Sequence, residues 1–365
     1  MKQRKFRFQL LALLIIYTLT LSQCISDKPT APIETKNNNL MVVYPNSGPK
    51  ITLVDYNTFE VVKQIVVNLP DTLGIYRMCL SSNNDYFIFI TMTGQPPFNS
   101  YIAAYNIAND TIQNIFPTGL DSVGAPRLSA AYIPEEPGLI YFYTHSAGLY
   151  SIDFFSQEIN LISDERGQSL DKLFNFTSDK KTVAILKQHY DYSEVEFYNA
   201  STRLTNANFT LNKNNQDSIY IDDLISSANN QTMFISINLP QMRNIANYFG
   251  SYNLQTKKLY KSSLTFPWSL NPYYLAYSSK RNECYMVGAY DKFYIIGTDS
   301  SNYYLKGTIT LTGKVEGPSR ILVRPGENVA FVSCAYTNIV FVIDLEKRKV
   351  LQTIPVQSAY LMLLL

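Results

Sequence analysis

One phrase recurs along this chain and restricts its fold more than any other feature. The clearest copy runs from Arg324 to Ile354. A Pro325-Gly326 turn leads to the β-branched and aromatic run Val329 to Cys334, then to the extended run Ile339 to Ile343. A polar turn, Asp344 to Lys349, is followed by a last run, Val350 to Ile354. Turn residues between short apolar runs mark consecutive antiparallel strands. Aligning the Asp or Asn that closes the third run of each copy gives Asp55, Asn106, Asp153, Asn199, Asn253, Asp299 and Asp344. The steps between them are 51, 47, 46, 54, 46 and 45 residues. Seven all-strand copies at such a period predict an all-β, seven-bladed β-propeller with four antiparallel strands per blade.

Each copy has the same internal order. An inner strand such as Tyr76 to Ser81 precedes a strong apolar second strand, for example Tyr86 to Thr91 or Glu283 to Val287. The third strand ends at the aligned Asx, whose side chain bonds backbone groups two residues on. The fourth, such as Val61 to Val67, carries Lys and Gln, as suits an exposed edge. The first copy begins at Met41 without an inner strand, while Gln357 to Leu365 is an orphan of inner-strand type. The C-terminal strand is therefore expected to join the first blade and close the ring, since an exposed apolar tail would invite aggregation.

The first residues are of another kind. MKQRKFRFQ is basic, and Leu10 to Leu21 is an apolar core short for a membrane span. Leu21-Ser22-Gln23-Cys24 follows. The stretch resembles a bacterial lipoprotein signal, with Gln23 standing where a small residue is usual. The resemblance implies a signal peptide over residues 1–23, lipidation of Cys24, and a lipid-anchored place in the bacterial cell envelope. Residues 24–39 are polar, with Pro and Asn and no apolar period, and read as a flexible tether. The propeller is expected over residues 40–365.

Charge narrows the partners. Lys and Arg total 31 against 29 Asp and Glu, and Lys2, Arg4, Lys5 and Arg7 all lie in the leader. Without them 27 basic residues face 29 acidic ones, a net charge of about −2, so no basic face for nucleic acid is expected. The copy from Arg324 to Ile354 resembles the YVTN repeat of surface-layer-like propellers. The resemblance rests on Pro325-Gly326, Val329 to Ser333, Thr337-Asn338, Ile339 to Ile343, Asp344, Lys349-Val350 and Thr353-Ile354. It implies the fold and little about activity, because propellers host enzymes, sensors and interaction platforms alike.

Catalytic signals are sparse. The two histidines, His145 and His189, fall in different copies, which is too few for a multi-histidine metal centre. No metal and no cofactor is expected. Cys79, Cys284 and Cys334 sit inside strands of different copies and read as buried free thiols. There is no G-x-S-x-G elbow, P-loop or H-E-x-x-H. The lone Trp268 reads as a loop aromatic packed between blades.

Two groups of residues remain. Aligned starts of the inner strands place Arg77, Arg127, Asp222, Tyr274, Arg320 and Tyr360, with Lys172 nearby, around one axial mouth. Arginines from separate blades would there favour an anionic group through forked hydrogen bonds; the plainer reading pairs each with an acidic residue. Tyrosines including Tyr141, Tyr143, Tyr190, Tyr192, Tyr273, Tyr285 and Tyr290 either pack between sheets or form a contact face. The sequence therefore points to a monomeric, non-catalytic binding module for a protein, glycan or cell-envelope ligand, with a small anion in the axial channel. The alternative is a lactonase-like hydrolase or isomerase acting in that channel, which would need acid/base groups there.

Overall fold

The structure is a computed structural model. It describes residues 39–364, except 46–49, 67–72, 82–84, 94–98, 122–126, 131–137, 145–147, 164–173, 177–180, 189–191, 200–201, 203, 213–219, 239–246, 268–273, 289–290, 299–302 and 313–317. Among the described residues, twenty-eight strands form seven four-stranded sheets, each made of consecutive antiparallel strands except at the point of closure. Among the described residues no helix is long and apolar enough to cross a membrane.

Blade 1 holds Leu40–Pro45, Lys50–Asp55 and Val61–Val66, and its inner strand is Ala359–Leu364. Val42 pairs with Leu363 and Val43 with Met362, so the C-terminal strand closes the ring as its sequence implied. The inner strands of blades 2 to 7 are Leu73–Leu80, Arg127–Ala130, Phe174–Phe176, Tyr220–Ser226, Tyr274–Ser278 and Pro318–Val323.

The core lies between blades. One apolar cluster joins Val42, Leu53 and Ile65 of blade 1 to Met78, Phe87 and Tyr105 of blade 2. Another joins Tyr285, Phe293 and Ile295 of blade 6 to Val332, Phe341 and Ile343 of blade 7. A third joins blade 7 to blade 1 through Phe331, Val342, Met41 and Met362. Second strands such as Leu40–Pro45 and Val329–Cys334 are therefore buried on both faces at every residue. Fourth strands carry exposed residues at most positions, as in Val61–Val66. Tyr141 and Tyr285, both fully buried, belong to this packing and not to a contact face. Cys79, Cys284 and Cys334 are buried free thiols, and burial pushes the Cys334 thiol up to about 12.

The Asx that ends the third strand organises the turn after it. Asp55 Oδ1 accepts from the amides of Asn57 at 2.7 Å and Thr58 at 2.9 Å. Asp153, Asn253 and Asp344 repeat the arrangement, and Asn106 and Asn199 each keep its longer arm. Four residues on, Phe59, Asp110, Gln157, Lys257 and Arg348 adopt φ of 64°, 56°, 60°, 54° and 53°. Blade 6 differs from the sequence alignment. Its third strand ends at Gly297, which pairs with Glu283 as Asp344 pairs with Val329. A Cβ at Gly297 would lie 2.5 Å from the end of the Tyr304 ring, so a side chain there would have to displace that ring. Asp299, the residue the alignment chose, lies outside the described residues.

Side chains also tie neighbouring blades together. Tyr44 Oη of blade 1 accepts from the Met78 amide of blade 2 at 3.2 Å. Glu327, in the turn after the inner strand of blade 7, accepts from Ser278 Oγ at 2.5 Å, Ser279 Oγ at 2.9 Å and the Lys280 amide at 2.6 Å, all in blade 6. Burial alone would raise the Glu327 pKa, but these hydrogen bonds hold its carboxyl below the usual range. Its contribution to stability is therefore present above the ordinary glutamate pKa and lost as pH falls through the lowered folded value. Glu327→Gln is expected to cost about 1 kcal/mol at neutral pH by losing charge-assisted bonds. Melting temperature followed against pH checks this: wild type loses more stability than the variant on acidification.

Candidate functional site

Strand register decides which inner-strand residues are equivalent. Arg77 pairs with Ile90, Arg127 with Tyr143, Asp223 with Ser236, Tyr274 with Val287, Arg320 with Ser333 and Leu361 with Tyr44. Each partner stands fourth after the first residue of its second strand. Four of the expected residues, Arg77, Arg127, Tyr274 and Arg320, therefore share one level. Asp222 and Tyr360 do not. Both are the extra residue of a β-bulge, as the jumps between Ile221 and Asp223 and between Tyr44 and Pro45 show. The strands of Arg77 and Arg320 carry the same bulge, at residues 76 and 319, so Asp223 and Leu361, each the residue after its bulge, take the aligned places. Nothing in the hydrophobic phase marks such a bulge; the only hint was the doubled acid Asp222-Asp223 in an otherwise apolar inner strand.

The structure brings residues of three successive blades together at this level. Arg320 Nη1 of blade 7 lies 3.8 Å from Asp223 Oδ2 of blade 5. Between them stands Tyr274 of blade 6, with the guanidinium 4.9 Å above its ring. Burial works against the Arg320 charge, but Asp223 and the phenol oxygens of Tyr274, Tyr360 and Tyr44 outweigh it and raise its pKa. Tyr360 thus remains beside the site although it occupies a bulge. Asp222 is buried too, at 2 % exposure. The backbones of Arg77 and Arg127 share the level, but their side chains, and all of Lys172, His145, His189 and Trp268, lie outside what the structure describes.

Asp223 is 2 % exposed and serves as a staple. Its Oδ2 accepts from the Leu275 amide of blade 6 at 2.8 Å, and its Oδ1 from the Leu224 amide at 3.0 Å. Burial pushes its carboxyl up to about 6, against the pull of Arg320 and the two amides. Arg320 is less enclosed: its side chain keeps 32 % exposure, and the 3.8 Å approach to Asp223 is longer than a hydrogen bond. This arrangement holds a cation, braced by a carboxylate and an aromatic face, with donor capacity to spare. No group of three or more His, Cys, Asp or Glu is placed to hold a metal among the described residues.

No protein-family model and no curated protein sequence matches the chain. Many solved structures do. A protein from Lactobacillus plantarum superposes with TM-score 0.63 at 15 % identity, covering 88 % of this chain and 98 % of its own. The periplasmic gluconolactonase of Pseudomonas aeruginosa gives TM-score 0.61 at 12 % identity over 89 % of this chain and 98 % of that one. A putative 6-phosphogluconolactonase from Bacteroides fragilis gives 0.61 at 14 % identity over 91 % and 99 %. Similarity at this level speaks for architecture alone, and together with the seven sheets and the closing C-terminal strand it makes the chain a seven-bladed β-propeller.

Proposed function

We propose that this protein is an exported, lipid-anchored propeller of YVTN type that works by binding, and that its axial mouth takes a small anionic ligand. The signal-like residues 1–23, Cys24 and the tether 24–39 support the anchor; a protein, glycan or cell-envelope component could present the anion. The observation that carries the reading is Arg320, which reaches over Tyr274 towards Asp223 with a contact too long to occupy its donors. A planar guanidinium so placed suits a carboxylate or phosphate.

Lactone hydrolysis is the second reading. A carboxyl with its pKa near 6 suits proton transfer, and two of the similar structures are a gluconolactonase and a putative 6-phosphogluconolactonase. Against it, each Asp223 oxygen already accepts a backbone amide, so the group acts first as a brace. The two separate in one experiment. Melting temperature is followed with gluconate, citrate and phosphate, and hydrolysis of δ-gluconolactone is measured in parallel. The binding reading expects a concentration-dependent rise in melting temperature, weakened about tenfold in Arg320→Gln, and no lactone turnover above the spontaneous rate. Turnover that disappears in Asp223→Asn would replace binding with catalysis.

A further inference from the structure

At the opposite end of the inner strands, between blades 6 and 7, positive side chains gather around one buried carboxylate. Glu283 opens the second strand of blade 6 and is 4 % exposed. Its Oε1 meets Lys306 Nζ at 2.8 Å and Arg348 Nη2 at 4.0 Å. Its Oε2 accepts from Tyr285 Oη at 2.8 Å and lies 3.9 Å from Arg281 Nε. One carboxylate cannot satisfy three cations. Arg281 Nε is buried without a hydrogen-bond partner, and Arg348 Nη2 stays beyond hydrogen-bond distance of Glu283.

These groups line a cleft of about 310 Å³ with Lys280 and Glu346. The lining holds four cations and two carboxylates, a surplus of two positive charges. The cleft is also prearranged. Arg348 Nη1 donates to Lys306 O at 2.9 Å and so crosses from one blade to the next. Residue 307 is glycine, and a Cβ there would stand 3.3 Å from that nitrogen, tight enough to push the guanidinium aside by a few tenths of an ångström. A groove of about 540 Å³ adjoins it between the outer strands of the two blades, lined by Thr308, Thr310, Thr353 and the shared Arg348.

We propose that this cleft is a second anion site, independent of the axial mouth, shaped for the dianionic head of a phosphate monoester whose organic part lies in the threonine-lined groove. Glu283 holds the cations apart and in place. The dianion matches the charge surplus and gives Arg348 Nη2, on a side chain that keeps 42 % exposure, the acceptor it lacks. Phosphate suits forked guanidinium donors better than a halide does.

The test titrates the purified protein with inorganic phosphate and with phenyl phosphate by calorimetry, against chloride at matched ionic strength. Saturable binding of one equivalent at this cleft, beside that at the axial mouth, is expected, tighter for phenyl phosphate. Arg348→Asn should weaken it about tenfold through the lost charge-assisted bonds. Asn tolerates the left-handed backbone at this position (φ 53°), so the turn persists. Lys306→Gln should weaken it similarly, while Arg320→Lys at the axial mouth should leave the equivalent bound in this cleft unchanged. Binding no stronger than that of chloride overturns the proposal, as does binding indifferent to Arg348→Asn and Lys306→Gln. Phosphate binding lost only in Arg320→Lys would also overturn it, and would place the anion at the axial mouth instead.

Discussion

Deleting Tyr360 to Leu365 is expected to abolish the cooperative unfolding transition of the propeller, or to lower its melting temperature by at least roughly 10 °C. The deleted residues form most of the inner strand of blade 1, and their loss unpairs Met41 to Tyr44 on one edge. Met362 is 4 % exposed and packs with Val43, Phe331 and Val342, so it ties blade 7 to blade 1. Losing it, with the half-buried Leu363 and Leu364, forfeits about 4 kcal/mol of apolar burial. The severed ladder and the newly wetted Met41 and Val43, both fully buried in the ring, add to that. A ring has no spare edge, so an unclosed blade also exposes a strand to intermolecular pairing. Thermal unfolding with light scattering is the measurement. A truncated chain that melts like wild type would mean that another segment closes the ring.

Asp223→Ala is expected to destabilise the protein by about 2 kcal/mol at pH 7, because two opposed effects leave a remainder. Removal orphans the amides of Leu224 and Leu275 and leaves Arg320 without its carboxylate. Each buried orphan costs about 1 to 3 kcal/mol, and an uncompensated guanidinium costs more. Relief comes from no longer burying an ionised carboxylate. The folded pKa, about 6, lies above the ordinary 3.8. A raised carboxyl pKa means that its contribution is fully present below about pH 4 and lost as pH rises through about 6. The gap between wild type and variant is therefore widest in acid and narrows towards neutral pH. Urea unfolding at pH 5 and pH 7 reads both the size and the trend. A gap that widens with pH would show that the ionised pair with Arg320 dominates the site.

Much of the fold is legible residue by residue. Each second strand was bounded to within a couple of residues, because those strands are buried on both faces and read as continuous apolar runs. Six of the seven Asx positions close their third strands as aligned. Only blade 6 departs, ending its third strand at Gly297, over which the Tyr304 ring packs. The left-handed residue four positions after the Asx left no trace, since Phe, Gln, Lys and Arg occupy it as readily as Asp. The candidate sites were harder to read. Asp222 and Tyr360 are the bulged residues one step before the level of Arg320, a register no hydrophobic phase shows, and the Glu283 cleft joins residues from 280 to 348 that follow no common spacing.

Residue types alone specify the repeat: seven apolar phrases, six of them closed by an Asx where the alignment put it, with an orphan strand at the end to complete the first. Local turn chemistry and two-sided burial write themselves into residue types, so they can be read without coordinates. Only the tertiary structure decided that Asp223, rather than Asp222, faces Arg320 across Tyr274, and that three cations share Glu283. Those meetings depend on one-residue bulges and on how adjacent sheets are set around the ring. Both are properties of packing between distant segments, which no single stretch of the chain encodes.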